Sequence, residues 1–403
     1  MAALQDSPDT TALQCFAPCP RGLEKALGAE LEALGAAAIE VVSSGVGFVA
    51  GWPDIGRINQ CTRLASRVLI QLGRGRYRTD KDLYKIAYGT PWEQWFDSSQ
   101  TLRVDTNAIR STLGNLNIAT LRVKDAIVDR LREQFGERPN IDTREPTVRV
   151  FVFLTDRYAT LYLDTSGENL FKRGWRGRDD KGAAPLKENL AAGLLTLAGW
   201  TPDTPLYDPF CGSGTIVIEA AQQTLGITPG SGRTFGYQNL SIEKTSVWAQ
   251  ASDARERQKT ATTSGAGIYA SDINPAMVAL TTANAERANA AAAMTSVVAG
   301  DFMTLTAPAL PPGSPPGMIV SNPPYGERMD FAGAGGQADV WGDSSGLLKL
   351  GHHLRASYPG WKVCLLSGDL KLPGKLGLKP SRRIELFNGP IETRLFVFEM
   401  RPA

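Results

Sequence analysis

From Leu186 to Glu399, short apolar runs alternate with runs of helical period, and nothing else in the chain constrains the fold as tightly. Four of the apolar runs end in polar tips. Leu206-Tyr207 leads into Asp208-Pro-Phe-Cys-Gly-Ser-Gly-Thr215, Ile268–Ser271 into Asp272, Val297–Gly300 into Asp301, and Met318–Ser321 into Asn322-Pro-Pro-Tyr325. Strands alternating with helices form a mainly parallel sheet covered on both faces. Ligands of such sheets bind outside the carboxyl ends of the strands, so the four tips mark one edge as a site. The last two runs, Ile384–Phe387 and Leu395–Phe398 around Asn388-Gly-Pro390, read as a hairpin at the sheet edge.

The first tip is rich in glycine. Gly212 and Gly214 permit tight or positive-φ backbone and close approach of a ligand. The helix beginning at Ile216 then turns its first N–H groups toward that ligand. No Gly-Lys-Ser/Thr follows, which argues against a P-loop. Asp208 suits a positively charged amino group, such as that of the methionyl part of S-adenosylmethionine, and Pro209, Phe210, Cys211, Ser213 and Thr215 complete the turn. Asp272, followed by Ile273, is placed to bind two ribose hydroxyls. It lies 60 residues beyond Gly212, against about 20 in a simple dinucleotide fold, so residues 226–265 form an insertion. Asp301 is placed to accept from an adenine amine, with Phe302 near the ring face.

The fourth tip carries the reactive chemistry. Pro323 and Pro324 fix φ and remove two N–H groups, leaving rigid carbonyls. The Asn322 side-chain carbonyl and the Pro323 backbone carbonyl can both accept from an –NH2 group and aim its lone pair, an orientation effect. Tyr325 is placed to stack on a base plane. Together the tips imply methyl transfer from S-adenosylmethionine to a nitrogen. A base inside a helix must be flipped out to reach such a turn. The glycine-rich stretch 331–342 reads as a lid or a plain loop.

Bulk properties bound the rest. The 403 residues allow two or three domains, and the net charge of +2 excludes a uniformly basic binder. Charge is uneven, however. Residues 61–132 carry thirteen Lys/Arg against seven Asp/Glu, including Arg74-Gly-Arg76-Tyr-Arg78. A second cluster is Lys172, Arg173, Arg176 and Arg178. Cys15, Cys19, Cys61, Cys211 and Cys364 form neither a disulfide framework nor a zinc pattern, so no metal is expected. No apolar run has the length of a membrane span, and no signal pattern opens the chain, so the expectation is cytoplasmic. Residues 13–51 read as strand, helix and hairpin, with Leu23, Leu27, Leu31 and Leu34 on one helical face. Residues 54–165 read as a second α+β unit, ending in a hairpin of Val148–Leu154 and Tyr158–Leu163. Ala290–Ala293 reads as the end of a helix, and the proline-rich stretch Ala307–Gly317 as a surface loop.

The combined motifs resemble a known family. Phe16-Ala-Pro-Cys-Pro-Arg-Gly-Leu-Glu24, Arg173-Gly-Trp-Arg176, Ala184-Pro-Leu-Lys-Glu-Asn-Leu-Ala191, Asp208–Thr215, Ser271–Pro275, Asn322–Arg328 and Leu386–Ile391 resemble the THUMP-containing RNA guanine-N2 methyltransferases. The likeness is greatest to the N-terminal half of the bacterial large-subunit ribosomal RNA enzymes. It implies an α/β fold with a class I (Rossmann-like) methyltransferase domain at 186–403. Before it the resemblance implies a ferredoxin-like domain at 1–53, an RNA-binding THUMP domain at 54–166 and a linker at 167–185. It also implies methylation of a guanine N2 in 23S rRNA, and RNA contacts at Arg74, Arg76, Arg78, Lys172, Arg173, Arg176 and Arg178. Some family members carry a second, fused methyltransferase domain, so a chain ending at Ala403 is expected to carry one activity. Alternatives share parts of the pattern: a tRNA substrate, adenine-N6 or protein-glutamine methylation, or RNA and cofactor binding without turnover.

Overall fold

The computed structural model describes residues 12–177, 186–241, 265–324 and 344–402. They form two compact units. The first takes its described residues from Met1–Cys19, Gly28–Leu170 and Arg233–Arg255, the second from Pro20–Leu27, Phe171–Gly232 and Glu256–Ala403.

In the N-terminal part, β1 (Leu13–Pro18), α1 (Glu24–Ala33), β2 (Ala37–Val42) and β3 (Gly45–Ala50) follow the order read in the sequence. Leu23, Leu27 and Leu31 are fully buried, and Gly35 at φ +95° stops the helix. Next come α2 (Trp52–Cys61), β4 (Leu69–Arg76), α3 (Asp80–Tyr88), β5 (Leu102–Ala108), α4 (Leu116–Phe135), β6 (Val148–Leu154) and β7 (Tyr158–Asp164). The seven strands make one sheet, in the order β2-β3-β1-β4-β7-β6-β5. Pairing of β1 with β4, through Cys15↔Ile70 and Phe16↔Leu69, joins the two α+β segments. In β6 alternate residues Val148, Val150, Val152 and Leu154 are buried, the pattern of a strand with one core face. Helix α4 starts where the Asn115 side chain accepts from the Asn117 N–H at 2.9 Å, and it ends at Gly136, φ +78°.

Strand β4 runs through the glycine-rich basic cluster, and Gly73 and Gly75 are strand residues on its packed face. A Cβ on Gly73 would lie 2.6 Å from Thr90 Oγ1, and one on Gly75 would lie 2.7 Å from Ile86 Cγ1. Close packing of the α3 region therefore requires glycine there, and Arg74 and Arg76 fall on the opposite face.

From Arg233 onward the insertion read at 226–265 joins this first unit. Arg233 Nη1 donates to the Asn169 carbonyl at 2.7 Å, Tyr237 N–H to Thr165 at 2.8 Å, and Ser241 N–H to Trp95 at 2.8 Å.

The second unit contains α5 (Glu188–Ala198), β8 (Leu206–Asp208), α6 (Thr215–Thr224), β9 (Ile268–Asp272), α7 (Pro275–Arg287), β10 (Met294–Ala299), β11 (Met318–Ser321), α8 (Ser344–Ser357), β12 (Lys362–Ser367), α9 (Leu372–Leu376), β13 (Arg382–Asn388) and β14 (Ile391–Glu399). The sheet order is β10-β9-β8-β11-β12-β14-β13. The first five strands are parallel, and β14 is antiparallel to both neighbours, giving the expected edge hairpin. Strands β8, β9 and β11 are buried at every position, as the centre of a parallel sheet demands. One reading needs correction: Ala290–Ala293 does not prolong a helix. Helix α7 ends at Arg287, Asn289 takes φ +54°, and Ala291–Ala293 forms a separate 3-10 turn. The left-handed Asn breaks the helical ladder that the alanines alone would favour.

Candidate active site

The chain reverses direction across the sheet at β8. Strands β9 and β10 add on one side of it and β11 and β12 on the other. The C-terminal ends of β8 and β11 therefore border a topological switch point, where an open α/β sheet has its crevice. Pairing of Met318 with Leu206 and of Ile319 with Tyr207 brings Ser321-Asn322 beside Asp208.

Asp208 is 2% exposed. Its Oδ1 accepts from Ser321 Oγ at 2.6 Å and from the Phe210 N–H at 3.1 Å. Burial pushes the carboxyl from its ordinary 3.8 up to about 7, against the pull of those two donors, and the nearby Asp272 charge adds to the rise. Its other oxygen has no partner among the described residues. A cation arriving there would take the place of a missing counter-charge.

The turn itself is held from several sides. Gly212 and Gly214 have φ of +53° and +83°, which only glycine adopts readily. A Cβ on Gly214 would lie 2.7 Å from Thr281 Cγ2, whereas one on Gly212 would meet nothing within 4 Å. The turn thus packs on α7 at one glycine and faces open space at the other. Thr281 Oγ1 donates to the Gly212 carbonyl at 2.7 Å, and Asn284 Nδ2 to the Ser213 carbonyl at 3.0 Å. These α7 residues escaped the sequence reading; the only signal was their i,i+3 spacing on one helical face. Cys211 is a buried thiol whose pKa burial raises, and its N–H donates to the Ser271 carbonyl at 3.0 Å. Phe210 meets Phe302 edge-on at 5.4 Å.

Asp272 closes the second tip. Its Oδ2 accepts from the Gly212 N–H at 3.0 Å and its Oδ1 from the Asn274 N–H at 2.9 Å. Burial raises its pKa, and both N–H donors oppose the rise. Each carboxylate oxygen keeps lone-pair capacity for one further donor. Ile273 follows, half-buried. Asp301 Oδ1 accepts from the Met303 N–H at 2.9 Å, and β10 sets Ala299 opposite Asp272. Phe302 does not present a ring face to a ligand. It is 3% exposed, stacked on Tyr358 at 5.6 Å and edge-on to His353 at 5.0 Å, so it belongs to the core and anchors the Asp301 turn.

At the fourth tip, Asn322 Oδ1 is shielded from solvent and has no hydrogen-bond partner among the described residues. A buried acceptor left unpaired is costly and marks a place where a donor belongs. Pro323 is buried and Pro324 half-buried. Tyr325, Arg178 and the stretch 331–342 lie outside the described residues.

Two residues read as RNA contacts serve elsewhere. Arg173 Nε donates to Glu219 Oε1 at 3.0 Å, with the two side chains 1% and 0% exposed, so its guanidinium is unavailable to phosphate. Arg176 braces the glycine turn: Nε bonds Glu188 Oε1 at 2.6 Å, Nη1 bonds Ser213 Oγ at 3.1 Å, and Nη2 bonds Thr215 Oγ1 at 2.7 Å. Lys172 is exposed. Arg74, Arg76 and Arg78 are exposed on the first unit.

A 3-2-1-4-5-7-6 strand order, counted from β8 as first, with its glycine turn and strand-tip acids, defines a class I, Rossmann-like methyltransferase unit. The chain belongs to the family described as RMKL-like, methyltransferase domain, whose model matches residues 173–396. A THUMP domain matches 77–164, and the RlmL ferredoxin-like domain matches 14–69. Similar relatives bear the name ribosomal RNA large subunit methyltransferase K/L. The Shewanella baltica (strain OS185) protein is 35% identical over 397 residues, covering 96% of this chain and 53% of its own length. The Shewanella amazonensis protein is 36% identical over 386 residues, covering 94% and 52%. The chain thus spans about half the length of the curated relatives it matches. Among solved structures, SMU.472, complexed with SAH, aligns with a TM-score of 0.84 at 26% identity, covering 98% of this chain and 100% of that one. A structure from Listeria monocytogenes, described as a predicted N6-adenine-specific DNA methylase, aligns at 0.83 and 28%, covering 98% and 97%. No helix among the described residues is long and apolar enough to cross a membrane, and no group of His, Cys, Asp or Glu among them could hold a metal.

Proposed function

We propose that this protein transfers a methyl group from S-adenosylmethionine to the exocyclic N2 of a guanine in large-subunit ribosomal RNA. The observation that carries the reading is the shielded Asn322 Oδ1, without a partner among the described residues, one residue beyond Ser321, whose hydroxyl bonds Asp208 at the glycine turn. An acceptor for an amine and a carboxylate for a cation thus stand side by side at the switch point.

The cofactor is S-adenosylmethionine, and bound there it supplies an electrophilic methyl on a sulfonium. The residues fit it. Asp208 would hold the ammonium, which would draw it to the ionised form. Asp272 would take the ribose hydroxyls and Asp301 the adenine amine, and nothing stands within 4 Å of a Cβ position on Gly212 to obstruct the ligand. Asn322 Oδ1 and the Pro323 carbonyl accept from the two N–H bonds of the guanine amine, which aims the nitrogen lone pair. That pair would accept the methyl that S-adenosylmethionine supplies, with the neutral thioether as leaving group. The nitrogen, now cationic, is acidic enough to release its proton without a strong base. Tyr325, by its place in the sequence motif, would stack on the base.

The THUMP match supplies an RNA-binding partner for the catalytic unit, and the relatives' names point to rRNA. The five cysteines are unpaired and buried, which fits a reducing cytoplasm. An Asn-Pro-Pro turn also suits an adenine N6 amine, the base in the description of the Listeria structure. Incubation with labelled S-adenosylmethionine and purified rRNA or tRNA, followed by nucleoside analysis, separates these cases. N2-methylguanosine in large-subunit rRNA is expected. N6-methyladenosine, or label in tRNA alone, would overturn the assignment.

A further inference from the structure

A strand position that faces away from the core is normally polar. In β6 the buried positions alternate with half-buried Arg149, Phe151 and Phe153, and in β7 Tyr158 and Tyr162 are half-buried on either side of the buried Thr160. Register places Phe153 and Arg74 on either side of Thr160, and Arg76 opposite Tyr158. The Arg74 guanidinium sits 4.7 Å from the Tyr158 ring centre and that of Arg76 sits 5.7 Å away. Arg76 Nε also donates to the Tyr158 hydroxyl at 3.2 Å.

The charges at this end of the sheet differ from those nearby. Arg67, Arg122, Arg130 and Arg149 are each paired with a carboxylate. Arg74, Arg76 and Arg78 have no carboxylate partner among the described residues. The β6–β7 turn adds Arg157, 3.5 Å from Asp156, both well exposed. Phe151, farther along the face, has the Arg67 guanidinium 5.0 Å from its ring centre, but that arginine is held by Asp164, so the guanidiniums without a carboxylate lie at the end bearing Phe153 and Tyr158.

We infer that this end of the sheet face, Phe153 and Tyr158 framed by Arg74, Arg76 and Arg78, is a stacking platform for an unpaired stretch of the RNA substrate. Base planes stack on aromatic rings and on guanidinium planes, and the arginines meet the phosphates. A duplex would satisfy the charges but keep its bases hidden from the rings. The inference rests on the RNA-methylation reading for its biological setting, though the platform is measurable without turnover.

The test uses the full chain and two fluorescent probes, a single-stranded mixed-sequence oligoribonucleotide and an RNA duplex of equal length. Wild type binds the single strand more tightly. Tyr158→Leu and Phe153→Leu each weaken single-strand binding about tenfold, in line with the loss of one stacked base, and leave the salt slope unchanged. Tyr158→Phe, which keeps the ring, binds as wild type does. Arg74→Ala plus Arg76→Ala lowers the salt slope by roughly 1.4, at about 0.7 per phosphate contact on a single strand. Equal binding by Tyr158→Leu and wild type, or preference for duplex, would overturn the platform. Should Tyr158→Leu fail to fold, Phe153→Leu and the arginine pair decide alone. Normal methylation of rRNA beside unaltered oligonucleotide binding sinks the platform only. Ring-dependent binding with no methylation of any RNA sinks the activity and leaves the platform.

Discussion

Replacing Asp208 by Asn should stabilise the cofactor-free protein at high pH while weakening its grip on the cofactor. The carboxyl is buried, and its pKa is about 7 in the fold against an ordinary 3.8. A carboxyl whose folded pKa lies above its unfolded one gains stability from protonation. That gain is complete below the unfolded value and is lost as pH rises through the folded value. Across the whole shift the loss is about 4 kcal/mol, at about 1.36 kcal/mol per pKa unit. Between pH 5 and pH 8 it amounts to about 2.6 kcal/mol. Asn does not titrate, and its Oδ1 can still accept from Ser321 Oγ and the Phe210 N–H. Urea denaturation of both proteins at pH 5 and pH 8 should therefore show the variant gaining about 2–3 kcal/mol on wild type over that interval. Calorimetry should show the variant binding S-adenosylmethionine at least ~10-fold more weakly, the loss of one charge-assisted contact. A stability difference that does not change with pH would refute the argument that Asp208 is a desolvated, uncompensated carboxylate.

Other substitutions separate the roles of neighbouring groups. Asp272→Ala removes the acceptor for Gly212 and Asn274 and should weaken cofactor binding in calorimetry by ~10-fold or more; unchanged affinity would move the ribose contact elsewhere. Gly214→Ala forces a Cβ to within 2.7 Å of Thr281 at φ +83°, so thermal denaturation should show a loss of about 1–3 kcal/mol; an unshifted melting curve would contradict the packing. Arg173→Ala removes the Nε donor of the buried Arg173–Glu219 pair and should destabilise by about 3–5 kcal/mol, with the salt slope of RNA binding unchanged; a reduced slope with normal stability would restore Arg173 to the RNA surface.

The catalytic sheet was legible because its signals are local. A buried parallel strand is a short apolar run, and each strand tip carries its own turn chemistry. Leu206–Asp208, Ile268–Asp272 and Met318–Ser321 needed no knowledge of their neighbours. What the sequence hid was pairing at a distance. Arg173 and Arg176 sit in one basic run. Only the fold shows that Glu219 holds the first and that Glu188, Ser213 and Thr215 hold the second. Phe302 follows a plausible ligand residue, yet three aromatic neighbours and His353 surround it in the core. The packing of Thr90 and Ile86 on Gly73 and Gly75 is likewise a contact that only the fold shows. Joining of the two N-terminal segments into one sheet rests on two residue pairs between β1 and β4, which no periodicity encodes.

The central claim is that Asn322 holds the target amine beside the cofactor, and single-turnover methyl transfer to rRNA by wild type and Asn322→Ala, with cofactor affinity measured on both, tests it most directly. Loss of one hydrogen-bonding group that positions the reacting atom should slow transfer by at least ~10²-fold, with S-adenosylmethionine binding nearly unchanged. Equal rates would remove Asn322 from the chemistry, and loss of cofactor binding would make it part of the cofactor site instead.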